Sequence, residues 1–140
     1  MPLIIHGLWQ QQMEGQLLRL TLTGAFNSAG VEALHAEAAT LLRECVGQGL
    51  RPPLAALVDL NQWQLTTPDS QWALQRMFER IAATGFTHVA YCGASRLRQH
   101  LLESCWQGVS GVSRHYANSI EDACRWLQEA GFSDAVIASD

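Results

Sequence analysis

The residues best suited to chemistry stand where strand-like runs turn into helix-like ones. Gly93-Ala94-Ser95-Arg96-Leu97 follows a strand-like stretch and opens a helix, the setting in which a serine on a sharp turn can act as a nucleophile. The G-x-S-x-G spacing of such an elbow fails at Leu97. A serine nucleophile also needs a base, and His88, His100 and His115 are scattered, with no acid paired to them in sequence. Ser95 as a helix N-cap accounts for the same hydroxyl. No catalytic residue is assigned, and the expectation is a protein that is not an enzyme. A binding role for the same turn stays open: Ser95 with Arg96 and Arg98 at a helix start could hold a phosphate or carboxylate, because free N–H groups, helix dipole and guanidinium charge act together. The plainer reading is two solvated arginines.

The second place is Leu54 to Ser70, LAALVDLNQWQLTTPDS. Leu54 to Leu60 is a nearly unbroken apolar run without period-2 alternation, as expected for a central strand covered on both faces. Asn61 to Thr67 then leaves its carboxyl end, where open α/β sheets place ligand sites. Thr67-Pro68-Asp69 supplies an N-cap, a proline at N1 and an acid in the first turn of the next helix. Trp63, between Gln62 and Gln64, is a large aromatic in that loop. It either anchors a partner or lines a pocket, or folds back over the core.

Metal and redox chemistry find little support. Cys45, Cys92, Cys105 and Cys124 show no C-x-x-C spacing and no tight Cys/His cluster. Each falls on or beside the apolar positions of an expected helix or strand, so all four are read as buried thiols in a reducing cytoplasm. His35, beside an apolar helical stripe, lacks a second ligand at helical spacing and reads as a boundary or core histidine. No metal and no cofactor is expected.

The elements that position these residues follow in order. A chain of 140 residues with 48% hydrophobic and 16% charged residues is one compact domain with one core. Its net charge is −4, and all nine basic residues are arginine, which argues against nucleic-acid binding. The N-terminus lacks a signal-peptide pattern and no apolar run approaches bilayer length, so a soluble protein without membrane insertion is expected. Strands are predicted over 3–13 and 16–23, joined by a Glu14-Gly15 turn, with Leu18, Leu20 and Leu22 on one face and Arg19, Thr21 and Thr23 on the other. Asn27 or Ser28 caps a helix carrying Val31, Leu34, Ala38, Leu41, Leu42 and Cys45. After the central strand come a helix over 68–84 with Trp72, Met77, Phe78 and Ile81 inward, a strand over 86–92, and a helix carrying Leu97, Leu101, Leu102 and Cys105. A strand over 109–117 follows, then a helix over 120–130 with Ala123, Trp126 and Leu127 inward, capped by Ser119 with Asp122. Leu57, Val58, Trp72, Phe78, Val89 and Leu101 are the expected deep core.

The order β-β-α-β-α-β-α-β-α implies an α/β fold: a mostly parallel central sheet with an N-terminal antiparallel hairpin and right-handed crossovers. Four sets of residues carry a resemblance. They are Gly24-Ala25-Phe26 after a strand, Val58-Asp59-Leu60 ending the central one, Thr67-Pro68-Asp69 opening a helix, and Ser119-Ile120-Glu121-Asp122-Ala123 with Trp126-Leu127 near the end. In these the whole chain resembles a single SpoIIAA-like domain of the STAS superfamily. Anti-sigma-factor antagonists of that superfamily carry a phosphorylated serine at the start of the helix after this strand. Here that position falls on Pro68 with no glycine following, so the switch does not carry over directly. Thr66, Thr67 and Ser70 remain phosphate acceptors in reach of the helix N-terminus, against the plainer reading of a cap and a first-turn polar residue.

The resemblance implies a cytoplasmic, non-enzymatic interaction or regulatory domain that works through protein partners and self-association. The alternative is a carrier or sensor of a small apolar, lipid-like or anionic ligand held between sheet and helices. Consecutive parallel strands end on one side, so Asn61, Trp63, Thr66, Thr67, Ser95 and Arg96 are the expected functional face.

Overall fold

The computed structural model describes residues 4–64 and 67–136. It has the strands β1 (Leu8–Glu14), β2 (Leu17–Gly24), β3 (Leu54–Trp63), β4 (Phe86–Cys92) and β5 (Ser113–Ala117) and the helices α1 (Ser28–Gly47), α2 (Pro68–Ala83), α3 (Arg96–Trp106) and α4 (Ile120–Glu129). The five strands form one sheet in the order β1-β2-β3-β4-β5. β1 and β2 are antiparallel, and every later neighbour pair is parallel. The expected architecture and element order are those observed.

Three successive crossovers, through α1, α2 and α3, step the same way along the sheet, and right-handed connections then put all three helices on one face. α4 follows the last strand and packs on β3, β4 and β5 from the other side. Two cores result. Leu18, Leu22, Ala56, Val58, Leu60, Val89 and Tyr91 meet α1 to α3, while Leu17, Ala55, Leu57, Ala90 and Cys92 meet α4. β3 is therefore apolar without alternation because both of its faces are covered.

Several boundaries move for local reasons. β1 begins at Leu8, with Ile4 and Ile5 exposed, and residue 3 lies outside the described residues. The hairpin loop is Gly15-Gln16 rather than Glu14-Gly15: Glu14 pairs with Leu17, and Gly15 takes φ 59° at the first loop position. β3 continues through Trp63 because, beyond a register shift, Gln62 and Trp63 pair with Thr23 and Gly24. β5 is shorter than expected, starting at Ser113. Asn27, Ser95 and Ser119 cap α1, α3 and α4 by accepting from Gly30, Arg98 and Asp122 N–H groups.

The expected core needs four corrections. Trp72 is 68% exposed. At about 100° per residue it lies opposite Leu74, Met77 and Ile81 on the helix wheel, so the inward stripe is set by Ala73, Leu74, Met77 and Phe78 instead. Leu97, in the first turn of α3, is 64% exposed. Leu101 and Cys45 are half-buried rather than deep.

Candidate functional site

The loops after β3 and β4 do meet. A Cβ at Gly93, where φ is 82°, would lie 2.5 Å from the Asn61 side chain, so this approach and this backbone conformation both require glycine. Asn61 is exposed and folds onto its own strand, donating through its backbone N–H (2.9 Å) and Nδ2 (2.8 Å) to Asp59 Oδ1. Beyond Gly93, Ser95 Oγ is engaged as the α3 cap and Arg96 is exposed.

The other expected face residues part from this turn. Thr67 N–H donates to the Phe26 carbonyl, which ties it to the entrance of α1. It holds the cap position of α2, but its hydroxyl donates to Asp69 rather than capping the backbone, and that bond holds the Asp69 carboxyl below its ordinary range. Ser70 is fully buried and its hydroxyl donates to the Thr67 carbonyl, so it is not an accessible phosphate acceptor. Thr66 lies outside the described residues. Trp63 is 2% exposed. An extended β3 that keeps pairing with β2 holds this ring inward, so in this structure it presents nothing to a partner.

Trp63 lines a pocket instead. Between the sheet and α1, α2 and α3 lies an apolar cavity of about 340 Å³. Its floor is the row of the sheet in which Gln11 pairs with Leu20, Leu20 with Val58, and Val58 with Tyr91. Its roof includes Leu34, Ala38 and Leu42 from α1, Leu74, Met77 and Ile81 from α2, and Trp106 from α3. Trp106 is fixed by stacking on Phe78, 4.2 Å between centroids, and by donating through Nε1 to the Tyr91 hydroxyl at 3.0 Å. Burial pushes the Tyr91 phenol well above its ordinary range, so it stays neutral.

Two features break the apolar lining. Gln11 donates through Nε2 to Glu37 Oε1, and Trp9 Nε1 donates to Glu37 Oε2, each at 3.1 Å. A carboxylate only accepts, so the amide nitrogen must face it and Oε1 must turn away. Oε1 is the one buried side-chain polar atom without a partner among the described residues. The second feature is the rim at α1 and α2, where His35 and Arg80 line both the cavity and an outer groove that also holds Glu32, Ala36, Ala39, Ala73 and Arg76. Burial and the Arg80 charge lower the His35 pKa from its ordinary value.

The cavity was open to sequence reading only as an apolar space between sheet and helices, with no residue marking it. The chance signal was Ala38 and Ala39, small residues on the inward side of α1. Among the described residues no three His, Cys, Asp or Glu side chains stand close enough to hold a metal ion, and no helix is long and apolar enough to cross a membrane.

No protein-family model matches the chain, and no curated protein matches it. Solved structures do. A DUF3478-family protein with a SpoIIAA-like fold from Shewanella loihica PV-4 aligns over 91% of this chain and 98% of its own, with TM-score 0.61 and 16% identity. The anti-sigma factor antagonist SpoIIAA in its unphosphorylated form aligns over 86% of this chain and 98% of its own, with TM-score 0.59 and 11% identity. The chain thus has a SpoIIAA-like fold.

Proposed function

We propose that this chain is a non-enzymatic, cytoplasmic binding domain that takes a small apolar molecule into the cavity between its sheet and α1 to α3. The observation that carries this is the cavity itself: about 340 Å³, roofed by three helices and lined almost wholly by apolar side chains. A protein interior is normally filled to crystal-like density. A void of this size falls at the lower end of the ~300–1,000 Å³ range of small-molecule sites.

Native mass spectrometry of freshly purified protein, followed by thermal melts with 1-decanol, tests the reading. A one-to-one adduct, or a melting temperature that rises with alcohol concentration and no longer does so in Ala38→Phe, supports it. Absence of an adduct, with an unresponsive melting temperature, removes it.

A second reading, a regulatory domain acting through protein partners or a second copy of itself, draws on the fold shared with an anti-sigma factor antagonist. It also draws on Trp72, which stands 68% exposed with Arg76 stacked 5.5 Å over its ring. Exposed aromatic and arginine side chains are enriched in interfaces. Sedimentation of wild type against Trp72→Ala checks self-association: a dimer that dissociates in the variant supports this reading, and a monomer at all concentrations removes self-association from it.

A further inference from the structure

The cavity does not end at the apolar roof. His35, Ala39, Met77 and Arg80 line it and also line the groove outside, between α1 and α2. The groove wall is made of small residues, Ala36, Ala39 and Ala73, and carries Arg76 and Arg80 against a single acid, Glu32. Among the described residues the ion pairs are Arg19 with Glu14, Arg114 with Glu103 and His115 with Asp122, so neither groove arginine is neutralised by a carboxylate. An apolar chamber thus shares the wall formed by Val31, His35, Ala39, Met77 and Arg80 with a groove that has an excess of positive charge.

We infer that chamber and groove form one site for a single-chain anionic amphiphile, a medium-chain carboxylate, with its hydrocarbon tail in the cavity and its head group at Arg80 and Arg76. The inference rests on the binding reading above and specifies its ligand. Tail length follows from volume. An apolar cavity of ~150 Å³ takes up benzene, so 340 Å³ accommodates about ten to twelve carbons. Head-group sign follows from the groove. A guanidinium pairs with a carboxylate in a two-pronged geometry that an ammonium head cannot use and a hydroxyl uses weakly. Both arginines are exposed, so the head-group preference is modest and sensitive to salt.

The test is calorimetric titration of the full chain with sodium decanoate, 1-decanol and decylamine. These share a tail and differ only in head-group charge. Decanoate should bind roughly three- to tenfold more tightly than decanol, and decylamine more weakly than either. In Arg76→Gln/Arg80→Gln the decanoate advantage should vanish while decanol affinity stays as it was, and an unchanged thermal melt shows that the variant is folded. Glu32→Gln should strengthen decanoate alone. Raising salt to 0.5 M should weaken decanoate alone. If decanoate and decanol bind wild type equally, or decanol binds better, the cavity is a ligand site but the anionic head group is wrong. Should no decyl compound bind, the cavity reading and this inference fall together.

Discussion

The two faces of the sheet are built from alternate residues of the same strands, yet they pack in opposite ways. Toward α4 small side chains predominate, Ala55, Ala90, Ala117, Ala123 and Ala135 with Cys92 and Cys124, set among Leu17, Leu57, Leu127 and Phe132. Small residues let a helix approach the sheet closely. Toward α1 to α3 the strands present Leu18, Leu22, Val58, Leu60 and Tyr91, which hold the helices off, while α1 answers with Ala38 and Ala39. Large side chains facing small ones across a wider gap leave a void. The lesson is that burial alone does not describe a core. Leu57 on one face and Leu60 on the other are 3% and 1% exposed, yet Leu60 borders the apolar cavity, whereas Leu57 borders only a more polar, open groove with Arg19, Asp59 and Ile120.

The largest test of this contrast is Leu57→Ala on the filled face. It should cost about 2–5 kcal/mol in urea denaturation, since the surrounding alanines cannot collapse into the hole. A loss below ~1 kcal/mol would mean that the α4 face is loosely packed. Next, one kind of substitution should change sign between the faces. Ala123→Leu, at a residue with no exposure, should destabilise by about 1–3 kcal/mol through overpacking. Ala38→Leu, at the cavity wall, should stabilise by about 0.5–2 kcal/mol by filling it. Two losses would show that the void is closed in solution.

A smaller effect lies at the far edge of the helical face. Arg114 donates from Nε and Nη2 to Glu103 at 2.6 and 2.9 Å, and Tyr116 donates to it at 2.6 Å. The arginine first, then the tyrosine hydroxyl, holds Glu103 below its ordinary value of 4.5. A depressed folded-state pKa means that the unfolded chain binds more protons on acidification. The stability it contributes is present above pH 4.5 and is lost as pH falls through the lower folded value. With the Glu103 side chain 43% exposed, solvent screening limits this to under about 1 kcal/mol. Glu103→Gln should flatten the acid limb of a stability profile, and identical limbs would show the pair to be idle.

The least perturbing comparison uses the thiols. Burial pushes Cys92 up to about 11, and raises Cys105 and Cys124 as well. All three are buried, while Cys45 is half-buried on α1. At pH 8 an alkylating reagent should modify one cysteine per chain quickly, at Cys45, and the other three only after denaturation. Fast modification of Cys92 or Cys124 would mean that the α4 face opens readily.

Local signals carried the element order. The unbroken run from Leu54 to Leu60 marked a strand covered on both sides, and Asn27, Ser95 and Ser119 marked helix starts, because caps and periodicity act over a few residues of chain. The SpoIIAA-like architecture followed, since a hairpin and three right-handed crossovers leave few alternatives. Gly93 meeting Asn61 followed too, because parallel neighbours must end on the same side. Trp72 was legible in principle: its angular position opposite Leu74 and Met77 places it outside, and its hydrophobicity misdirected the reading. Trp63 was not legible. Whether β3 stops at Leu60 or runs on depends on pairing with Thr23 and Gly24, residues about forty positions earlier in the chain. The burial of Ser70 depends in the same way on how α2 docks. The cavity was least accessible of all, because an empty volume is set by the distance between layers. That distance emerges only when every side chain of three helices and four strands has found its place.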